Sequence, residues 1–159
     1  VANNTNFWEK GTEWTVFDAG GVRFSTPICF EDTFGYLSRG FVNQGAEVIV
    51  NLTNDSWSFS VPSAMQHMGM AVFRAVENRR TVVRSTNGGM TTTIDPNGKI
   101  RAMLPAFTEA YMVDSVPVYT EKETLYTRFG DWFAYLLLIL STLLLIAGVV
   151  RAVVRRKAD

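Results

Sequence analysis

The 159-residue chain has little of what builds metal sites, disulfides or phosphate cradles. Its one cysteine, Cys29, cannot form an internal disulfide, so the fold must hold together by packing. With a single histidine, His67, beside that single cysteine, there is no ligand cluster at zinc spacing, and no metal or other cofactor is expected. A Gly-rich phosphate loop is missing too, because Asn87-Gly88-Gly89 follows a strand-like run without opening a helix. Fifteen Lys and Arg balance fifteen Asp and Glu with no basic face, which argues against a nucleic-acid partner. Internal repeats and low-complexity tracts are absent. The sequence starts at Val1 rather than Met, and no signal peptide is expected within its first residues.

What is abundant is apolar surface, and one run stands apart. From Trp132 to Val150 no residue is charged. At ~1.5 Å per residue such a helix can cross a hydrocarbon core of ~30 Å. Arg151, Arg155, Arg156 and Lys157 follow the run, whereas Glu121, Lys122, Glu123, Arg128 and Asp131 before it are mixed in sign. The positive-inside rule then places 151–159 in the cytoplasm as a basic tail and residues 1–131 outside, with Trp132 and Tyr135 at the outer interface. An external domain needs an export signal, so the expectation is the C-terminal piece of a longer protein.

Upstream of the span the pattern is that of an α/β domain. Trp14–Phe17 reads as a peripheral strand, Val22–Ile28 as a strand, and Thr33–Gln44 as a helix capped by Thr33 and closed by Gly45. Ala46–Leu52 is a short apolar run of the kind found in buried parallel strands. A second helix is expected from a Ser63 cap to about Arg79, burying Met65, Met68, Val72 and Val76. Strands are expected over 81–86, 90–95, 99–104 and 110–116, with turns at 87–89 and 96–98. The order β-α-β-α-β-β-β argues for a sheet that is parallel early and antiparallel late.

Chemistry concentrates where the first strand meets the first helix, in Pro27-Ile-Cys-Phe-Glu-Asp32. Such a junction lifts a side chain above a sheet edge, and the following N–H groups, that of Phe30 first, can bind an oxyanion. Cys29 is then either an activated nucleophile or a small buried hydrophobe. Glu31 either relays protons or is a first-turn carboxylate favoured by the helix dipole. His67 either forms a dyad with the cysteine or is a hydrogen-bonded structural histidine. Arg74 and Glu77, three apart on a helix, form an ion pair most simply. The loop 53–62 leaves the C-terminal end of a parallel strand, where open α/β sheets bind ligands, so Asn54, Asp55 and Trp57 are expected close to Cys29.

Taken in order, these segments resemble one branch of the nitrilase superfamily, the apolipoprotein N-acyltransferases of bacterial inner membranes. The resemblance rests on Pro27–Asp32, Gln44-Gly-Ala-Glu47, Asn51-Leu-Thr-Asn-Asp-Ser-Trp57, Gln66-His67, Phe73-Arg-Ala-Val-Glu77, Arg84-Ser-Thr-Asn-Gly-Gly89 and Thr124–Trp132, followed by the terminal span. It implies a partial nitrilase-like αββα sandwich over 1–120, a membrane-proximal linker over 121–131 and a transmembrane helix over 132–150. The implied location is the inner membrane, multi-pass in the whole protein, with the catalytic domain on the periplasmic face. The implied activity carries an acyl chain from a phospholipid onto Cys29 as a thioester. From there the chain passes to the amine of a diacylglyceryl-cysteine apolipoprotein.

Under the same resemblance Cys29 and Glu31 are the catalytic residues and the Phe30 N–H is the oxyanion donor. Asn54, Asp55, Trp57 and His67 are candidates for the substrate pocket. Phe30 stands where a tyrosine is common, so a hydroxyl is lost there. The superfamily's glutamate and lysine lie far upstream of the cysteine. Glu9, Lys10 and Glu13 are too close to it to fill those roles, so the upstream part of the same protein is an implied partner and this piece alone is expected to be inactive. Two other readings stay open: a membrane-tethered nitrilase-type amidase, and a non-catalytic module that only contacts lipid or lipoprotein.

Overall fold

The computed structural model describes residues 11–120 and 123–158, so Glu9, Lys10, Glu121 and Lys122 lie outside the described residues. Strands β1 (Phe17–Ala19) and β2 (Val22–Ser25) form an antiparallel hairpin. Its two-residue turn, Gly20-Gly21, has φ of 63° and 85°, a conformation that favours glycine. The expected strand to Ile28 stops at Ser25, because Pro27 has no N–H to give a ladder. Ile28 still bridges to Leu52. A 3-10 turn, Cys29–Thr33, comes before helix α1 (Gly35–Asn43). Thr33 does not cap α1 as expected; its hydroxyl donates to Phe30 O at 2.7 Å, and Phe34 holds the cap position.

Strand β3 (Val48–Asn54) leads through a single 3-10 turn, Ser56–Ser58, into helix α2 (Val61–Asn78). The cap of α2 is Ser60 rather than Ser63: the Ser60 hydroxyl accepts from Ser63 N, and Pro62 fits the first turn, where a missing N–H costs nothing. Strands β4 (Thr81–Asn87), β5 (Thr92–Ile94) and β6 (Ile100–Met103) complete one six-stranded sheet in the order β1-β2-β3-β4-β5-β6. Pairing is parallel across β2-β3-β4 and antiparallel across β4-β5-β6, as the sequence pattern anticipates. The strand expected over 110–116 does not form. Side chains hold that stretch instead, Thr93 donating to Asp114 at 2.6 Å and Arg101 to Ser115 O at 3.1 Å.

Helices α1 and α2 supply Val42, Ala71 and Ala75 to a core shared with Ile49, Val82 and Ile94 of the sheet. The buried stripe of α2 matches the expected one at Met68, with Val72 packed against the core, but departs from it elsewhere. Met65 and Val76 are exposed, while Ala64, His67, Met68, Ala71, Arg74, Ala75 and Asn78 face inward. Small alanines let the helix sit close to the sheet, and the polar members of the stripe each have hydrogen-bond partners. Arg74, for example, donates to Thr33 O and pairs with Glu77 at 2.7 Å. The stretch expected to be a linker contains helix α3 (Leu125–Phe129). Arg39 of α1 donates to the carbonyls of Tyr126, Thr127 and Arg128, capping groups that the short helix cannot satisfy itself.

A second compact unit, Phe129–Asp159, consists of helix α4 (Trp132–Ala158). Its 27 residues span ~40 Å, and the helix continues past Val150 into the basic segment. It is long and apolar enough to cross a membrane, and none of its apolar window is buried against protein. The mid-helix hydroxyl of Thr142 is satisfied by Leu138 O at 2.8 Å, so the apolar stretch carries no orphaned side-chain donor there.

Candidate active site

Cys29 sits in the left-handed region at φ 53°, which costs a non-glycine residue energy and persists only where surroundings impose it. The imposing group is Asn51 of β3, fully buried, whose Nδ2 donates to Pro27 O at 3.1 Å and Cys29 O at 3.0 Å. Leu52 N adds a bond to Pro27 O at 3.2 Å. Glu31 is exposed and receives the Ile28 N–H at 2.7 Å, while its own N–H bonds back to Ile28 O at 3.1 Å. These two bonds close the turn around the cysteine.

An open cleft of about 610 Å³ lies at the C-terminal ends of β3 and β4, walled by Ile28, Cys29, Leu52, Asn54, Thr86 and Asn87 among others. This is the sheet edge where the βαβ pattern predicts a ligand. Asn54 is on that wall, its side-chain oxygen held by the Ser56 N–H at 3.1 Å and the Ser56 hydroxyl at 2.6 Å. Trp57 is exposed, with its ring 6.2 Å from that of Phe30. Asp55 and His67, expected in the pocket, are both buried, and neither is among the residues lining this cleft.

Those two residues belong to a closed cluster of four charged or titratable side chains. His67 Nε2 is 2.8 Å from Asp32 Oδ1, and its Nδ1 is 2.9 Å from Asp55 Oδ1. Arg84, 0% exposed, places Nε 3.4 Å from Asp32 and Nη2 3.7 Å from Asp55. The ring of Phe30 stacks on the imidazole at 4.5 Å and 8°. Burial pushes the His67 pKa down, but the hydrogen bond and charge of Asp32, helped by the Asp55 hydrogen bond, outweigh burial and the opposing Arg84 charge and leave it raised. Burial is also the main reason the Arg84 pKa is lowered, with Asp32, Asp55 and Cys29 opposing that fall. Both ring nitrogens face carboxylates, so neither is turned to Cys29 as a Cys–His dyad would require.

The carbon-nitrogen hydrolase family model matches residues 2–124. The chain belongs to this carbon-nitrogen hydrolase family. It is 47% identical over 97% of its length to apolipoprotein N-acyltransferase 1 of Treponema denticola, and 44% identical over 96% to apolipoprotein N-acyltransferase 1 of Treponema pallidum. In each case it spans 28% of the relative's length. Among solved structures, Saccharomyces cerevisiae Nit3, a member of branch 10 of the nitrilase superfamily, matches with a TM-score of 0.54 at 23% identity, over 62% of this chain and 39% of that one. The fold is therefore the mixed α/β fold of that superfamily. This carbon-nitrogen hydrolase chain contributes one helical layer and one sheet among its described residues.

Sequence reasoning located Cys29, Phe30, Glu31 and Asn54 but assigned nothing to Asn51, Asp32 or Arg84. One signal was available. Arg84 interrupts the β-branched run of β4 in register with Asn51, and both follow the core residues Ile49 and Val82 by two positions, which puts them on the buried face.

Proposed function

We propose that Cys29 is the nucleophile of a phospholipid-dependent N-acyltransferase, of which this chain is the C-terminal part. The observation that carries the reading is the left-handed Cys29 turn, pinned by Asn51 at the mouth of a cleft on the sheet's C-terminal edge. The cysteine thiolate attacks an ester carbonyl of the phospholipid; the C–S bond forms, the C–O bond breaks, and the lysophospholipid oxygen leaves with a proton. The α-amine of a diacylglyceryl-cysteine lipoprotein then attacks the thioester, loses a proton and releases the thiolate. Both tetrahedral oxyanions fall to the Phe30 N–H, a kind of contact worth about 3 kcal/mol. The names of the relatives support acyl transfer to apolipoprotein, and α4 supports a membrane setting in which both lipid substrates reside. The domain lies on the external face and the basic end of α4 in the cytoplasm. The proton acceptor and a lysine for the oxyanion come from sequence outside this chain.

The test uses the full-length protein in nanodiscs with acyl-labelled phospholipid and no acceptor. Label is expected on Cys29 as a hydroxylamine-sensitive thioester, discharged on adding a diacylglyceryl-cysteine peptide. No label on Cys29, or label and turnover retained in Cys29→Ala, refutes the reading. Label from a small amide but not from phospholipid converts it to a membrane-tethered amidase.

A further inference from the structure

Two carboxylate oxygens face the two nitrogens of His67, and an ionised carboxylate can only accept. A neutral imidazole carries one N–H, so one of these contacts at under 3 Å would set a lone pair against a carboxylate oxygen. One additional proton is required. Arg84 lies beside both carboxylates and holds negative charge there, which leaves the ring as the place for that proton. Imidazolium and guanidinium against two carboxylates make the buried cluster neutral, whereas a neutral ring would leave one uncompensated negative charge in the interior.

The cluster's members come from every element around the cysteine. Asp32 belongs to the Cys29–Thr33 turn, Asp55 to the loop after β3, Arg84 to β4 and His67 to α2. Phe30, the neighbour of Cys29, lies flat on the imidazole face, where a cation is attracted by the ring. The turn is thus gripped from below at two of the three residues that follow the cysteine. We propose that His67 is a positioning residue: as an imidazolium donating from both nitrogens, it ties the Cys29 turn to the Asp55 loop and fixes the nucleophile against the cleft. This rests on Cys29 being the nucleophile, but its first test does not depend on acyl transfer.

Because folding raises the pKa of this group, its contribution is complete below the ordinary histidine value of about 6.5 and is lost as pH rises through the higher folded value. The grip on the turn therefore loosens on the alkaline side, not the acidic side, of that window. Asp32, Asp55 and Arg84 are the charged groups that face the ring, with Cys29 next in line through Arg84.

The experiment is nitrogen NMR of the full-length protein in nanodiscs with labelled histidine, His67→Gln identifying the signal. Two protonated ring nitrogens are expected for His67 near pH 6.5, where a free histidine is only about half protonated. One protonated and one bare nitrogen overturns the proposal, whether or not Cys29 forms a thioester. The second arm follows iodoacetamide alkylation of Cys29 by mass spectrometry. His67→Gln is expected to slow alkylation about tenfold by releasing the held geometry. His67→Gln combined with Asp55→Asn, which restores neutrality, is expected to recover most of that loss. Equal slowing in the single and double variants would mean the histidine only fills space, and would overturn the positioning role.

Discussion

If Cys29 is strained where it stands, removing the strain must stabilise the protein even as it removes the proposed nucleophile. Cys29→Ala and Cys29→Gly both lack the thiol and differ only in Cβ, so their difference isolates the backbone. A left-handed φ of 53° costs an L-residue ~1–2 kcal/mol relative to glycine. Glycine gives back ~0.4–1 kcal/mol through its freer unfolded chain. The glycine variant should therefore exceed the alanine variant by about 1 kcal/mol and melt at the higher temperature. The assay is thermal unfolding of both full-length variants in one detergent, followed by tryptophan fluorescence, with thioester formation abolished in both. An alanine variant as stable as the glycine variant, or more so, would refute the claim that the turn holds strain at the cysteine.

The pin beneath the turn makes its own prediction. Asn51→Ala removes the side-chain donor to Cys29 O and one of two donors to Pro27 O, and is expected to cost about 2 kcal/mol in denaturant unfolding and to slow Cys29 alkylation. Gly89→Ala would drive a methyl group into Asp55 Oδ2, so a loss of ~1–3 kcal/mol with slower Cys29 alkylation is expected. Gly69→Ala, in α2 with nothing near its Cβ, should instead stabilise by ~0.5–1 kcal/mol and leave alkylation unchanged, measured in the same unfolding series.

Much of this architecture was legible because it rests on local rules. An uncharged run from Trp132 to Val150 predicts its own helix, and Gly-Gly, Asn-Gly-Gly and Pro-Asn-Gly mark turns by their conformational freedom. The cysteine's place at a strand end follows from strand and helix periods. The α2 stripe misled because periodicity counts methionine and valine as core, while this helix buries alanines for close approach and His67, Arg74 and Asn78 for hydrogen bonds. Residues 110–116 have strand composition, but side-chain bonds to Thr93 and Arg101 decide their path. The buried cluster was the least legible part, since residues 32, 55, 67 and 84 share no spacing that a period could expose. Only the parallel register, which aligns Asn51 with Arg84, brings them together.

That cluster also bears on what this chain can and cannot supply to its reaction. Among the described residues, the carboxylates and the imidazole close to Cys29 are already engaged: Asp32 and Asp55 hold His67 and Arg84, and Glu31 holds the Ile28 N–H. The cleft wall offers a thiol, hydroxyls, amides and apolar groups, and no side chain that takes a proton near neutral pH. The backbone geometry of the proposed nucleophile is therefore built into this chain, whereas no base that could activate it is among the groups lining the described cleft.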